Sequence, residues 1–414
     1  MNSTSLNSDP FSNSHSKPKI APGPKGRPIV GMLPERRTKP LELYLNSVRN
    51  YGDVVRFNMG PMEVYLLNRA EYVKHVLQDN AKSYIKGLGY DKLEPVLGKG
   101  LLTSEGEFWR QQRKLAQPAF HRSSILNFFT TVRDDANAML SRWQSHKILD
   151  VHGEMTKITL TVVSKTLLGT DVSSSADKVG AALERLLNEA NDRILSLFMI
   201  PSWIPTKRNL RFSEDRDTLN KVVFDIISER RRLRPDKADL LAMLMAAQDD
   251  ETGAKMSDQQ LRDEVMTMFL AGHETTANLL SWACFLLSQH PDWRNKIREE
   301  SKKVIGDRSI EFQDLENLPI LTMVIEETLR LFPPAWVLSR QAAKDDCIGG
   351  FKIPKGSIVI LSPYVLHRNP RYWINPEGFN PLRFSEENRG SIEKYSYFPF
   401  GGGARVCIGQ AFAT

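Results

Sequence analysis

The stretch Phe400-Gly401-Gly402-Gly403-Ala404-Arg405-Val406-Cys407-Ile408-Gly409 decides how this chain is read. Three consecutive glycines carry no Cβ, so the backbone there can approach a flat object closely. Cys407 sits just before Gln410-Ala411-Phe412-Ala413, which reads as the start of a helix, where amides stabilise a thiolate. Arg405, two residues before the cysteine, can reach an anionic carboxylate on the same face. A lone cysteine is most often a small buried hydrophobe. A thiolate, an arginine and a glycine-lined plate together are what an axial haem ligand requires.

The chain has 414 residues, enough for two or three domains of ~150 residues or one large core. With 41% hydrophobic and 25% charged residues it fits an ordinary globular protein, not a disordered chain, a collagen or a membrane bundle. No run approaches the ~20 apolar residues of a membrane-spanning helix, so no transmembrane segment is expected. Three cysteines, Cys284, Cys347 and Cys407, cannot form a disulfide framework, which points to a reducing, cytoplasmic setting. The net charge of +7 is concentrated at the start: residues 1–50 carry eight Lys/Arg against Asp9, Glu35 and Glu42. A basic leader on a nearly neutral body argues against nucleic acid as a partner.

Residues 1–19 are rich in Ser, Asn and Pro and read as a disordered leader without the apolar core of a secretory signal. A proline-rich strap, Pro18 to Pro34, follows. Alternating runs at Val54–Asn58 and Val64–Leu67, around Gly60-Pro61, predict a hairpin. Helical periodicity then dominates at Glu107–Ala116, Ser123–Ser145, Met155–Leu168, Asp177–Leu197, Ser213–Arg232, Trp293–Ile305 and Leu318–Leu331. A helix of about 30 residues starts after Ser257 and runs to Gln289, spanning ~45 Å. Short strands return between Ile348 and Leu361. The expectation is a single, mostly helical domain over residues 20–414 with a minor sheet.

The run Phe398–Gly409, FPFGGGARVCIG, resembles the haem-binding signature of the cytochrome P450 superfamily, with matches at Phe400, Gly403, Arg405, Cys407 and Gly409. The resemblance extends from about residue 20 to the end. It implies a mainly α fold with a minor β-sheet region, a long central helix over the haem, and heme b whose iron is ligated by Cys407. Other stretches match in order. Glu327-Thr328-Leu329-Arg330 places an acid and a base on one helical face; alone it reads as a surface ion pair, whereas the resemblance implies a buried cluster with Arg383 that holds the cysteine loop. In Ala271-Gly272-His273-Glu274-Thr275-Thr276 the zinc motif H-E-x-x-H fails at Ala277, and Thr275 can bond back to the carbonyl of Ala271. By resemblance this turn passes over the haem, with Thr275 hydrogen-bonding dioxygen and Glu274 relaying protons. Trp109 and Arg113 share a helical face, and the resemblance makes them, Arg405 and Arg340 the seats of the haem propionates, with Ala271, Gly272, Phe400, Gly403 and Gly409 lining the group. His367 reads as structural, packing the segment that carries Arg383.

The resemblance implies a haem-thiolate monooxygenase that hydroxylates or epoxidises an apolar small molecule with O2. A haem-thiolate isomerase, dehydratase or peroxygenase, and a haem-binding sensor, remain alternatives, against which Glu274-Thr275 argues. With no Gly-x-Gly-x-x-Gly fingerprint, electrons are expected from a ferredoxin or flavodoxin with its reductase. Arg110, Lys114 and Arg122 are a candidate basic docking patch, the alternative being a solvated helix face. The apolar segment Ile194–Pro205 reads as an access-channel loop, core packing or a weak membrane-surface contact. Family members continue some tens of residues beyond the cysteine, so a soluble bacterial-type domain incomplete at its C-terminus is expected.

Overall fold

The structure is a computed structural model that describes residues 18–87, 89–143, 148–169, 182, 185–186, 189, 192–193, 201, 203–233, 239–249 and 251–414. Nearly all of the expected leader, most of the expected helix 177–197 and much of the apolar segment 194–205 lie outside the described residues. The chain is mainly helical with a minor sheet and divides into two compact units. The first gathers Met1–Leu88, Ala335–Gly378 and Gly390–Val406; the second gathers Gly89–Pro334, Phe379–Arg389 and Cys407–Thr414.

In the first unit the expected hairpin forms as β1 (Val54–Met59) and β2 (Met62–Leu67), reversing at Gly60 with a φ of +62° that suits glycine. Further strands are β3 (Tyr84–Lys86), β4 (Leu338–Ala342), β5 (Asp346–Ile348), β6 (Phe351–Ile353) and β7 (Ile358–Leu361). The main sheet runs β1-β2-β7-β4-β3 and is parallel only between β2 and β7, while β5 and β6 pair separately. Side chains alternate along each strand. Val55, Phe57, Val64, Leu66, Ile358 and Ile360 pack with Tyr44 on one face. Val54, Tyr65, Leu67, Val359 and Leu361 pack with Tyr72 and Val73 on the other. Both faces are dry, which is why these strands read as apolar runs.

The proline-rich strap lies along β1, where Arg56 N–H donates to Pro22 O and Met32 N–H to Asn58 O, both at 2.8 Å. Two helices the sequence did not disclose follow it, Leu33–Thr38 and Pro40–Tyr51, each with a proline in its first two positions. Further on, the helix Ala70–Lys74 widens into a π turn, His75–Asp79, closed by Asn80 N–H to His75 O at 2.8 Å. One oxygen of Asp346 accepts from His75 Nε2 at 2.8 Å, from Asn80 Nδ2 at 3.1 Å and from the Tyr84 hydroxyl. Its other oxygen takes the N–H of Cys347 at 2.8 Å.

The second unit is organised on the helix Asp258–Gln289, 32 residues and ~48 Å long. Ser257 caps it as expected: Gln260 N–H donates to Ser257 Oγ at 3.3 Å, and Ser257 N–H donates to Gln260 Oε1 at 2.7 Å. Residues 261–270 are buried on every side, so this half of the helix runs through protein. The helices Gly106–Ala116, Arg122–Trp143, Lys207–Leu233, Pro291–Val304 and Pro319–Leu331 lie largely where periodicity places them. Val151–Leu168 begins a turn before the expected Met155, because Asp150 accepts Gly153 N–H at 3.1 Å and caps it there. Buried charges tie a loop to the long helix. Asp263 accepts Lys99 N–H at 2.8 Å and Glu264 accepts Leu101 N–H at 3.1 Å, while Arg262 donates to Val96 O at 2.8 Å. Gly98 has a φ of +69°, and a Cβ there would fall on the Asp263 carboxylate.

Burial pushes the Asp346 carboxyl up, but the hydrogen bonds from His75, Tyr84 and Cys347 N–H outweigh it and hold it at about 2, against an ordinary 3.8. A depressed carboxylate stabilises the fold above its unfolded value and loses that contribution as pH falls through the folded one. Discounted for partial exposure, the contribution is about 1–2 kcal/mol. The stability difference between wild type and Asp346→Asn, measured by urea unfolding, is therefore expected to be full at pH 6 and to shrink between pH 4 and pH 2; a constant difference over that window would refute it.

Candidate haem-thiolate site

Cys407 opens the last segment of the second unit, ahead of the helical turn Gln410–Ala413. Its side chain has solvent contact. Even so, burial among its neighbours pushes the thiol up, and the Gly409 N–H on the sulfur and the Arg113 guanidinium pull it down without cancelling that effect. The polypeptide alone therefore holds a thiol at neutral pH, and a metal must displace the proton to gain a thiolate ligand. Burial likewise lowers Arg113, and Cys407 opposes that change. The structure thus brings Arg113 and Cys407 together across 294 positions of sequence.

Trp109 is buried and Arg113 half-buried one turn later on the same helix. On the long helix, burial breaks abruptly after Leu270. Ala271, Glu274 and Thr275 are exposed, Gly272, His273 and Thr276 are half-buried, and Ala277 is buried again. The Thr275 hydroxyl donates to Ala271 O, as the spacing predicts. A Cβ on Gly272 would press against Val163 Cγ2 at 3.2 Å, so the neighbouring helix also favours a small residue there.

Arg340, Phe400, Gly403 and Arg405 belong to the first unit. Arg340, on β4, is buried and donates to Ser339 O at 2.9 Å. Phe400 and Arg405 are half-buried. Gly401 and Gly403 have φ of +74° and +63°. The glycine run was expected to make room for a flat group; within this unit Gly402 and Gly403 also make room for protein. A Cβ on Gly403 would fall on the Leu77 carbonyl oxygen, and one on Gly402 on the Tyr395 ring. His367 accepts Phe398 N–H at 3.0 Å on Nε2 and stands 5.2 Å from the Tyr397 ring. It is fully buried and holds the entry to the glycine run, a role its local sequence did not disclose.

Glu327 and Arg330 are both fully buried, joined by Arg330 Nε to Glu327 Oε2 at 2.6 Å and by a second nitrogen to Oε1 at 2.7 Å. Asn380 N–H at 2.8 Å and Arg383 Nε at 3.3 Å donate to the same Oε1. The surface-pair reading is thereby excluded. The expected basic docking patch carries little net charge. Arg110 pairs with Glu107, Arg122 with Glu316, and Lys114 with Asp249 at 2.9 Å and Glu251 at 3.4 Å. Each cation is compensated locally, which leaves a weak field for steering.

Among the described residues, no group of three or more His, Cys, Asp or Glu could hold a bare metal ion. A single soft thiolate fits a metal whose other positions a macrocycle fills, and the neighbouring guanidinium fits an anionic edge on that macrocycle. This chemistry, in a mainly helical protein with a long central helix, is that of the haem-thiolate enzymes. The family model described as Cytochrome P450 matches residues 21–414. The chain is 37% identical to cyclooctatin synthase of Streptomyces melanosporofaciens, over 96% of this chain and 86% of that protein. It is 33% identical to cyclooctat-9-en-7-ol 5-monooxygenase of the same organism, over 94% and 85%. To pentalenene oxygenase of Streptomyces avermitilis it is 31% identical, over 94% and 86%. The chain belongs to the cytochrome P450 family. It is a monooxygenase that binds haem through a cysteine thiolate and uses O2, a redox partner and a small-molecule substrate. No helix among the described residues is long and apolar enough to cross a membrane.

Replacing Arg330 by Met leaves the Glu327 charge buried with its two best donors gone. A loss of ~3–5 kcal/mol in unfolding free energy is expected, with a clearly smaller loss for Arg383→Met, whose ion pair with Glu327 is longer, at 3.3 Å against 2.6 Å. Equal losses in urea titrations of the two variants would contradict this order.

Proposed function

We propose that Cys407 is the axial ligand of heme b and that the protein oxidises an apolar, olefinic small molecule by hydroxylation or epoxidation. The observation that carries the assignment is the Cys407 sulfur itself, in contact with solvent, accepting the Gly409 N–H and lying in the field of Arg113. When bound, the haem supplies an iron at which dioxygen is activated, and the thiolate's electron density favours O–O cleavage. The chain's own residues position and protonate. Thr275 offers a hydroxyl whose proton is directed at Ala271 O, leaving its oxygen lone pairs to accept a hydrogen bond from the oxygen side. Glu274, exposed beside it, takes protons from solvent. Trp109 and Arg113 seat a propionate; Arg405 and Arg340 match the family's other propionate positions. Ala271, Gly272, Phe400, Gly403 and Gly409 line the group by the same match.

The substrate class follows from what the relatives are named for, an olefinic alcohol in one case and pentalenene in another. We assign the electrons to a ferredoxin or flavodoxin with its reductase, and residues 20–414 to one family domain, in line with a single family match over 21–414. Three free cysteines suit a cytoplasmic setting.

Reduced, haem-loaded protein under carbon monoxide is expected to show the strongly red-shifted band of thiolate ligation, and Cys407→Ala to lose it; a variant that kept the band would end the assignment. Glu274→Gln is expected to keep the band while turnover with a ferredoxin and its reductase falls roughly 10²-fold. Thr275→Ala should divert reducing equivalents from product to peroxide. Unchanged turnover and coupling in both would remove the proton-handling role.

A further inference from the structure

A π turn has poorer hydrogen-bond geometry than an α-helix and recurs where its displaced groups are used. Within His75–Asp79, Gly403 lies against the Leu77 carbonyl with no room for a Cβ. The adjacent Gln78 accepts the Tyr395 hydroxyl at 2.9 Å on Oε1. Tyr395 itself is held at a φ of +68°, a strained value for a residue with a side chain, and its ring occupies the space a Cβ on Gly402 would take. Gly403 N–H is directed at the same tyrosine oxygen. Gly402 and Gly403 are therefore seated on the π turn and Tyr395.

The π turn in turn hangs on one carboxylate. His75, its first residue, and Asn80, just past its last, both donate to the same oxygen of Asp346, and Tyr84 completes that oxygen's partners. His75 and Asp346 keep only 13% and 15% side-chain exposure, so water competes poorly for the pair. From Gly403 the backbone reaches Cys407 in four residues.

We propose that His75 and Asp346 are positioning residues for the haem ligand, acting through Leu77, Gln78 and Tyr395 on the glycine run that delivers Cys407. This rests on Cys407 being that ligand. Partners outside the ligand shell orient the ligand, and sulfur orientation and hydrogen bonding tune a haem-thiolate centre. The pair touches neither substrate nor iron; it sets the register of the loop.

The test uses the full haem-loaded chain as wild type, His75→Ala, His75→Gln and Asp346→Asn. The readouts are the carbon monoxide band, the midpoint potential and the rate of haem loss to a scavenging apoprotein. His75→Ala is expected to lose haem about 10-fold faster, to move part of its carbon monoxide complex to the neutral-thiol band and to shift in potential. His75→Gln, which keeps an N–H for Asp346, is expected to recover the wild-type band and potential; Asp346→Asn should shift both in the same direction as His75→Ala. Wild-type band and potential in His75→Ala and Asp346→Asn, whatever their melting temperatures, would overturn the inference. Should His75→Ala fail to fold, Asp346→Asn decides by the same two readouts. A wild type without the thiolate band would instead overturn the Cys407 assignment and this inference with it.

Discussion

The carboxylate of Glu327 is the constraint on which the second unit depends. It has no solvent contact and accepts from Arg330, Arg383 and Asn380 N–H. A charge buried this deeply is tolerable only while its lone pairs are engaged. The cluster thereby fixes Phe379–Arg389 to the helix Pro319–Leu331 at one register. The start of the same helix is held in the same way. Its N-terminus has no side-chain cap of its own, and Glu300 takes the N–H groups of Ile320 at 2.7 Å and Leu321 at 3.0 Å.

Buried acids recur as tethers throughout the protein. Asp263 and Glu264 hold the loop that follows Leu97 to the long helix, and in the first unit Asp346 holds the π turn. In each case the partners include backbone N–H groups or side chains far away in sequence. Such bonds fix a loop at one position where apolar packing alone allows it to slide, because hydrogen bonds are directional and packing is not.

This rigidity has a counterpart in the long helix, where a short stretch is left open. Ten consecutive buried residues end at Leu270, and the next turn exposes Ala271, Glu274 and Thr275 before burial resumes at Ala277. The acid Glu274 and the alcohol Thr275 there sit on a firm support and are exposed. The Thr275 bond to Ala271 O commits the hydroxyl's proton to the helix itself.

The sequence by itself determined the class of the fold, the long helix with its Ser257 cap, the β1–β2 hairpin and the motif around Cys407. Those features are written in local spacing: 3.6 residues per helical turn, two per strand, and a ten-residue run around Cys407. Tertiary structure alone decided the rest. Whether Glu327 and Arg330 were a surface pair or a buried cluster depended on Arg383 and Asn380 arriving from more than 50 residues away. That Arg110, Lys114 and Arg122 are neutralised depended on acids such as Asp249 and Glu316 on distant segments. The π turn at His75, the bond from Phe398 N–H to His367 and the contacts that demand glycine at 402 and 403 were equally invisible. Burial, which sets both the cost of a charge and the direction of the Cys407 shift, is a property of what the whole chain packs around a residue and has no local period to read.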